Sequence, residues 1–180
     1  VIVNPPYQQA DGGAAASAKP RDQEFVTIAK EISTTYTSII MPARWYTGGK
    51  GLDEFRASML TDKHIKLLYD YQRPDEVFPD TNNRGGLCFI VRDNNFDNTL
   101  TLPEVVSNRG NQKIVSQVRS IKTDDLEMFI RHQEAISVLK KVTENISFAS
   151  LSDAISARRP FGIDGNITKD IAVFKKQKNP

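Results

Sequence analysis

Two consecutive prolines directly behind a short apolar run, in Val1-Ile2-Val3-Asn4-Pro5-Pro6-Tyr7, constrain the fold of this chain more than any other feature. Val1 to Val3 has the composition of a buried strand. Proline has no backbone N–H and a fixed φ, so Pro5 and Pro6 can neither extend a sheet ladder nor continue into a helix. The strand is therefore expected to end at a rigid turn. Residues 8–21 are rich in Gly and Ala, lack periodicity and read as a loop. Asp22 is placed as the cap of a helix whose apolar residues Phe25, Ile28, Ile32 and Tyr36 follow the 3.6-residue period. Ser38 to Met41 reads as a second strand, stopped by Pro42. A loop over Thr47–Gly51 then leads to a second helix with Leu52, Phe55, Met59 and Leu60 on one side. Ile65 to Tyr71 is a third strand. Leu87 to Val91, introduced by Gly85-Gly86, is a fourth, and its near-continuous apolarity predicts burial on both faces.

This order predicts an α/β fold with mostly parallel strands, the last two pairing as an antiparallel hairpin. Beyond Asn98, Thr99–Leu102 and Lys113–Ile121 are expected as short strands. A helix over 132–143 is built on Ile136, Leu139 and Val142, and a short one is expected near Leu151–Ala157. No repeat period is visible.

Composition narrows the class. The 180 residues are 39% hydrophobic and 26% charged, as in a globular chain of one ordinary domain. No apolar run is long enough to span a bilayer. Cys88 has no second cysteine to pair with, and His64 and His132 add too few ligands for a structural zinc set. A reducing, cytoplasmic setting is expected. The chain opens on Val1 inside an apolar run, without a signal-peptide pattern, so a piece of a longer protein is expected. Of 24 basic and 22 acidic residues, 11 and 14 fall in residues 1–108, which leaves 13 and 8 in 109–180. Arg109, Lys113, Arg119, Lys122, Arg131, Lys140, Lys141, Arg158 and Arg159 belong to that basic stretch. Both phosphate contact and a merely solvated basic face fit it.

Chemistry concentrates at Asn4-Pro5-Pro6-Tyr7. A strand that ends in an amide, two prolines and an aromatic places fixed acceptors and a flat ring at the carboxyl edge of a sheet, where α/β proteins bind ligands. The Asn4 side-chain carbonyl and the Pro5 backbone carbonyl can accept both hydrogens of an exocyclic amine, freeing its lone pair. Tyr7 can stack on the ring that bears the amine. Proline rigidity sets this geometry before substrate arrives. The competing reading is an Asn-Pro turn that only ends a strand.

The motif resembles the catalytic motif of S-adenosylmethionine-dependent amino-methyltransferases, in particular DNA adenine-N6 methyltransferases of the gamma arrangement in type II or type III-like restriction-modification systems. Ser38-Ile39-Ile40-Met41-Pro42-Ala43-Arg44-Trp45 and Gly48-Gly49-Lys50-Gly51-Leu52-Asp53-Glu54-Phe55-Arg56 are similar to the family's next segments. So are Glu76-Val77-Phe78-Pro79 and Gly86-Leu87-Cys88-Phe89-Ile90-Val91. Ala135–Val142 and Ser156–Gly162 resemble the linker that follows in such polypeptides.

The resemblance implies that Asn4, Pro5, Pro6 and Tyr7 form the catalytic motif. Tyr7 and Phe78 would stack on a flipped adenine, whose amine would attack the methyl sulfonium directly, without a metal. Lys50, Arg84, Arg158 and Arg159 would touch the DNA backbone. The implied cofactor is S-adenosylmethionine and the implied partner double-stranded DNA, with a restriction subunit or fused nuclease as a further possibility and no membrane. In this sense the fold would be the carboxyl half of a Rossmann-like methyltransferase sheet. Residues 1–95 would be its catalytic-motif half and 96–180 a basic extension toward a target-recognition domain.

The chain also departs from the family. Its glycine clusters, Asp11-Gly12-Gly13, Gly48-Gly49-Lys50-Gly51 and Gly85-Gly86, lack the spacing of a cofactor-binding turn between strand and helix. The piece alone is therefore expected neither to bind S-adenosylmethionine tightly nor to methylate. A fused metal-dependent nuclease needs an acidic residue two positions before a lysine, and no such pair occurs. Trp45 is open to two readings, DNA contact or sheet cover. The alternatives for function are a glutamine-N5 or guanine-N2 methyltransferase, because the motif suits any planar amine, and a non-catalytic DNA-binding or assembly fragment.

Overall fold

The computed structural model describes residues 1–6, 21–48, 51–80, 85–124, 126–145, 149 and 155. It divides into two units, Val1–Val138 and Leu139–Pro180. The first holds six strands: β1 (Ile2–Val3), β2 (Tyr36–Pro42), β3 (Ile65–Tyr71), β4 (Leu87–Asp93), β5 (Glu104–Asn108) and β6 (Ile114–Val118). Helices α1 (Asp22–Ile32) and α2 (Asp53–Leu60) lie in the same unit, and α3 (Gln133–Thr143) crosses the boundary. In the second unit, Thr143 Oγ1 donates to the Leu139 carbonyl at 3.0 Å in the last turn of α3. The expected short helix at Leu151–Ala157 lies outside the described residues apart from Ile155.

The sheet is mixed, in the order β1-β2-β4-β3-β5-β6. β1 runs parallel to β2, β4 is antiparallel to both β2 and β3, β5 is parallel to β3, and β6 is antiparallel to β5. β1, β2, β3 and β5 therefore share one direction, and the expected α/β class holds. β3 and β4 do pair as an antiparallel hairpin, but β4 does not sit at the sheet's end. It inserts between β2 and β3, where it satisfies the backbone of two codirectional strands. The sheet also continues past residue 95 through β5 and β6.

β4 alternates, contrary to the expectation of burial on both faces. Cys88 and Ile90 are buried while Phe89 and Val91 are half-buried. Register puts Met41, Cys88 and Asp70 in one row, and Ile39, Ile90 and Leu68 in another. These rows face one hydrophobic core, to which Val26 of α1 and Phe55, Met59 and Leu60 of α2 contribute, together with Trp45, Tyr46, Ile121 and Phe129. α2 buries Phe55, Met59 and Leu60, and Leu52 is buried just before the helix begins.

α1 does not bury the expected side. Its inward row is Asp22, Val26 and Ala29, while Phe25, Ile28 and Ile32 are 41%, 52% and 64% exposed. Small Ala29 brings the helix close to the sheet, and Asp22 must face inward to meet Arg44 at 3.3 Å. Asp22 is the first residue of the helix and not its cap. It places a negative charge in the first turn, where the helix dipole favours one. The expected strand Thr99–Leu102 is a turn instead, with Leu100 86% exposed, and the strand begins only after Pro103.

Asp62, between α2 and β3, ties three elements together. Its carboxylate lies 2.7 Å from Lys30 of α1 and 3.0 Å from Arg92 of β4, and it accepts the His64 backbone N–H at 3.0 Å. Burial by itself raises the Asp62 carboxyl, but Lys30, the His64 N–H and Arg92 together outweigh it and hold the group below the usual carboxylate range. A depressed folded-state value means that the stabilisation is present above the ordinary value, near pH 4, and is lost as pH falls through the folded value. Asp62→Asn should therefore cost about 2 kcal/mol at pH 7. In urea titrations the gap to the unsubstituted chain should close as pH drops below about 4, and a gap independent of pH would contradict the ion-pair account.

Candidate active site at the carboxyl edge of the sheet

β1 leaves its ladder three residues before β2 does. Val3 pairs with Ile39, whereas β2 continues to Pro42 opposite Leu87. At about 3.3 Å per residue this makes a step roughly 10 Å deep at the carboxyl edge. The cause is local, since Pro5 and Pro6 have no N–H to donate to β2. Pro5 is buried, and Asn4 and Pro6 are exposed. The turn is thus anchored by Pro5 and presents Asn4 at the step. Crevices outside the carboxyl ends of strands are where open α/β sheets bind ligands.

Phe78 belongs to the connection that leaves β3 at Tyr71 and returns at Leu87. A 3-10 turn over Pro74–Glu76 starts it, and the Phe78 N–H donates to the Pro74 carbonyl at 2.9 Å. Phe78 is half-buried. Because β1 and β3 point the same way, Asn4 and Phe78 follow strand ends on the same edge of the sheet. Their strands are three positions apart in the order, which corresponds to about 14 Å between strand axes. Tyr7, Lys50, Arg84, Arg158 and Arg159 lie outside the described residues.

Other residues singled out by sequence prove structural. Trp45 is 1% exposed, and its Nε1–H donates to Cys88 Sγ at 3.3 Å, so it covers the sheet. Burial pushes the Cys88 thiol up to about 12, which leaves it protonated and unreactive at neutral pH. His64 holds the Phe96 carbonyl through Nδ1 at 2.8 Å. Three arginines of the basic stretch have partners within the chain. Arg109 pairs with Glu134 at 2.9 Å, Arg119 donates to the Ile130 carbonyl at 2.7 Å beneath Phe129, and Arg131 lies 3.0 Å from Asp70. Lys113, Lys122, Lys140 and Lys141 are exposed.

Sequence reasoning missed Asp70. Its signal was a single acid on the inward row of the apolar strand Ile65–Tyr71, where it is 1% exposed. Burial raises this carboxyl above the usual range, although Arg131, Gln72 and Tyr46 pull it partly back. The Tyr46 hydroxyl, fully enclosed, is pushed well above the usual tyrosine value by burial and by neighbouring Cys88 and Asp70. A cleft of about 480 Å³ between α2 and the segment around Leu126, lined by Arg56, Lys122 and Glu127, contains none of the predicted site residues.

Fold and site together define a mixed α/β sheet that carries an amide-proline turn at its carboxyl edge. Residues 1–78 match the family model of the Eco57I restriction-modification methylase. The chain is also 26% identical over 160 residues to an uncharacterized adenine-specific methylase of Mycoplasma pneumoniae, a match covering 87% of this chain and 37% of that protein. It thus spans little more than a third of this curated relative. Among solved structures it is similar to the type IIG restriction endonuclease BpuSI, with a TM-score of 0.45 and 12% identity over 92% of this chain and 23% of the other. The type I restriction-modification methyltransferase subunit from Streptococcus thermophilus gives a TM-score of 0.26 at 12% identity, over 61% of this chain and 20% of that one. The two sequence matches bear out the resemblance read from Asn4 to Tyr7: the chain is similar to the adenine methyltransferases of restriction-modification systems. Among the described residues, no helix is long and apolar enough to cross a membrane.

Proposed function

We propose that this chain is the catalytic-motif part of an S-adenosylmethionine-dependent DNA methyltransferase that modifies the N6 amine of a flipped adenine within a restriction-modification system. The observation that carries the reading is the Asn4-Pro5-Pro6 turn, which breaks the β1 ladder at a step in the carboxyl edge, within the segment that matches the methylase family. Asn4 Oδ1 and the Pro5 carbonyl accept the two amine hydrogens and draw the nitrogen toward tetrahedral geometry. Its lone pair then points away from the ring. Tyr7 and Phe78 hold the base by stacking at roughly 1–3 kcal/mol per base, which helps offset the cost of extrusion. Lys50, Arg84, Arg158 and Arg159 contact DNA phosphates, and residues beyond about 95 lead toward target recognition.

Among the described residues, the glycine turns do not fit the methyl donor. Gly85 and Gly86 join two antiparallel strands, and Gly48 follows a 3-10 turn over Ala43–Tyr46. Neither is the glycine turn directly between strand and helix that such a cofactor site uses. We therefore place the donor's site outside the described residues and give Asn4 and Pro5 the amine as their partner.

The test is methylation by the full polypeptide with labelled S-adenosylmethionine and duplex DNA, followed by nucleoside analysis. N6-methyladenine is expected. Label in N2-methylguanine or in protein glutamine would replace adenine with the corresponding alternative. DNA binding without label in any acceptor would favour a non-catalytic assembly role.

A further inference from the structure

We infer that Arg131 is a positioning residue that clamps the Phe78 connection, an inference that rests on the stacking role proposed for Phe78. The connection over residues 72–86 begins where Tyr71 leaves the β3–β4 ladder and ends where Leu87 re-enters it. Arg131 grips both ends. Its Nη2 lies 3.0 Å from Oδ1 of buried Asp70, just before the exit, and donates to the Gly85 carbonyl, just before the return. The guanidinium sits 5.0 Å over the ring of buried Tyr46, which fixes its plane from the core side. Both contacts run through one nitrogen, so a lysine ammonium could serve them in part, but it lacks the planar face that lies over Tyr46.

The first part of the connection is braced by the end of β5 and by the turn that follows it. The Gln72 N–H donates to the Asn108 carbonyl at 3.0 Å, and its side chain donates to Ser107 Oγ at 3.1 Å. The Asn111 N–H donates to Glu76 Oε1 at 3.2 Å, two residues before Phe78. Gly110, Asn111 and Gln112 all have positive φ, at 84°, 52° and 60°. Such a run is held only where its surroundings over-determine it, and here it aims the Asn111 N–H at the connection. A Cβ on Gly110 would stand 2.6 Å from Arg73 Cγ, so the two segments are in close contact. A buried ion pair is weak support for stability, because an apolar pair of similar size often serves as well. Two anchors and a brace on one aromatic-bearing connection make sense as placement of Phe78.

The experiment uses the full polypeptide and duplex DNA with 2-aminopurine at the target adenine. Fluorescence reports base extrusion, the methylation rate is measured on the same duplex with adenine at the target, and DNA affinity and melting temperature are measured beside them. Arg131→Met is expected to lower the extrusion signal and kcat by on the order of ten- to a hundred-fold, with DNA affinity changed less than about twofold. Arg131→Lys should recover only part of the loss. If Arg131→Met does not fold, Arg131→Lys and Glu76→Ala, which removes the acceptor of the Asn111 N–H, carry the test through the same two readouts. A lowered melting temperature with unchanged extrusion and kcat would overturn the inference. Phe78→Ala serves as the control. Intact extrusion in that variant would overturn the stacking role and the inference with it, whereas loss there but not in Arg131→Met would overturn the inference alone.

Discussion

Asn4→Ala in the full polypeptide is expected to reduce methyl transfer by about a hundred- to a thousand-fold, the scale seen when one preorganised polar group is removed from a reacting centre. Binding of duplex DNA should stay within about twofold, because Asn4 contributes no charge and phosphate contacts dominate DNA affinity. The physical case rests on the step at the sheet edge. Pro5 is buried and cannot move to compensate, and Asn4 is exposed at the point where the β1 ladder stops. Alanine keeps the proline turn but removes the side-chain carbonyl, so one of the two amine hydrogens loses its acceptor. Asn4→Asp tests the same point from the other side, since a carboxylate still accepts and should retain more activity than alanine. Unchanged methylation in Asn4→Ala would remove Asn4 from the chemistry and return the motif to a strand-ending turn.

Gly86→Ala is expected to be the most damaging small substitution in the described chain. Gly86 has φ of +93°, and a Cβ there would lie 2.4 Å from the Tyr71 carbonyl oxygen and 2.8 Å from Arg131 Nη2. The backbone oxygen belongs to the β3–β4 ladder and cannot swing aside. The Gly86 carbonyl also accepts the Ala43 N–H at 3.0 Å, which limits movement in the other direction. Left-handed strain of about 1–2 kcal/mol then adds to a clash that must shift the hairpin, for a total of about 3–4 kcal/mol. That is a large share of the 5–15 kcal/mol that roughly bounds the stability of a domain. Gly85→Ala is the matched comparison. Its φ is +97°, yet nothing lies within 4 Å of a Cβ, so only the strain of about 1–2 kcal/mol applies. Thermal melts of the two variants should separate clearly, and equal shifts would show that the close approach at Gly86 relaxes without cost.

How much could be read before folding depends on the range of the force responsible. The end of β1 was legible because a proline removes its own N–H, an effect complete within one residue. β3 was legible in full, Ile65 to Tyr71, from a run of apolar and aromatic residues ahead of a proline-bearing segment. The buried side of α2 was legible because Leu52, Phe55, Met59 and Leu60 leave no competing apolar side. α1 offered two sides, one large and apolar and one small. Contact with the sheet and with Arg44 selected the small one, leaving Phe25, Ile28 and Ile32 outward. Periodicity reports that a helix has an apolar side but carries nothing about which partner will cover it.

The candidate site divides in the same way. Residue chemistry in Asn4-Pro5-Pro6 determined by itself where β1 stops, because rigid prolines act through their own covalent geometry, and it is the basis for proposing that a planar amine is held there. Tertiary structure alone decided that β4 would insert between β2 and β3, that Trp45 would turn inward to Cys88, that Arg119 and Arg131 would turn toward the core, and that Arg109 would pair with Glu134. It alone brought Arg131 to Asp70 and Gly85, some sixty and forty-five residues away in sequence. Such pairings arise because desolvating a charge is tolerable only beside an opposite charge or a carbonyl. Which partner is within reach is settled by the path of the whole chain.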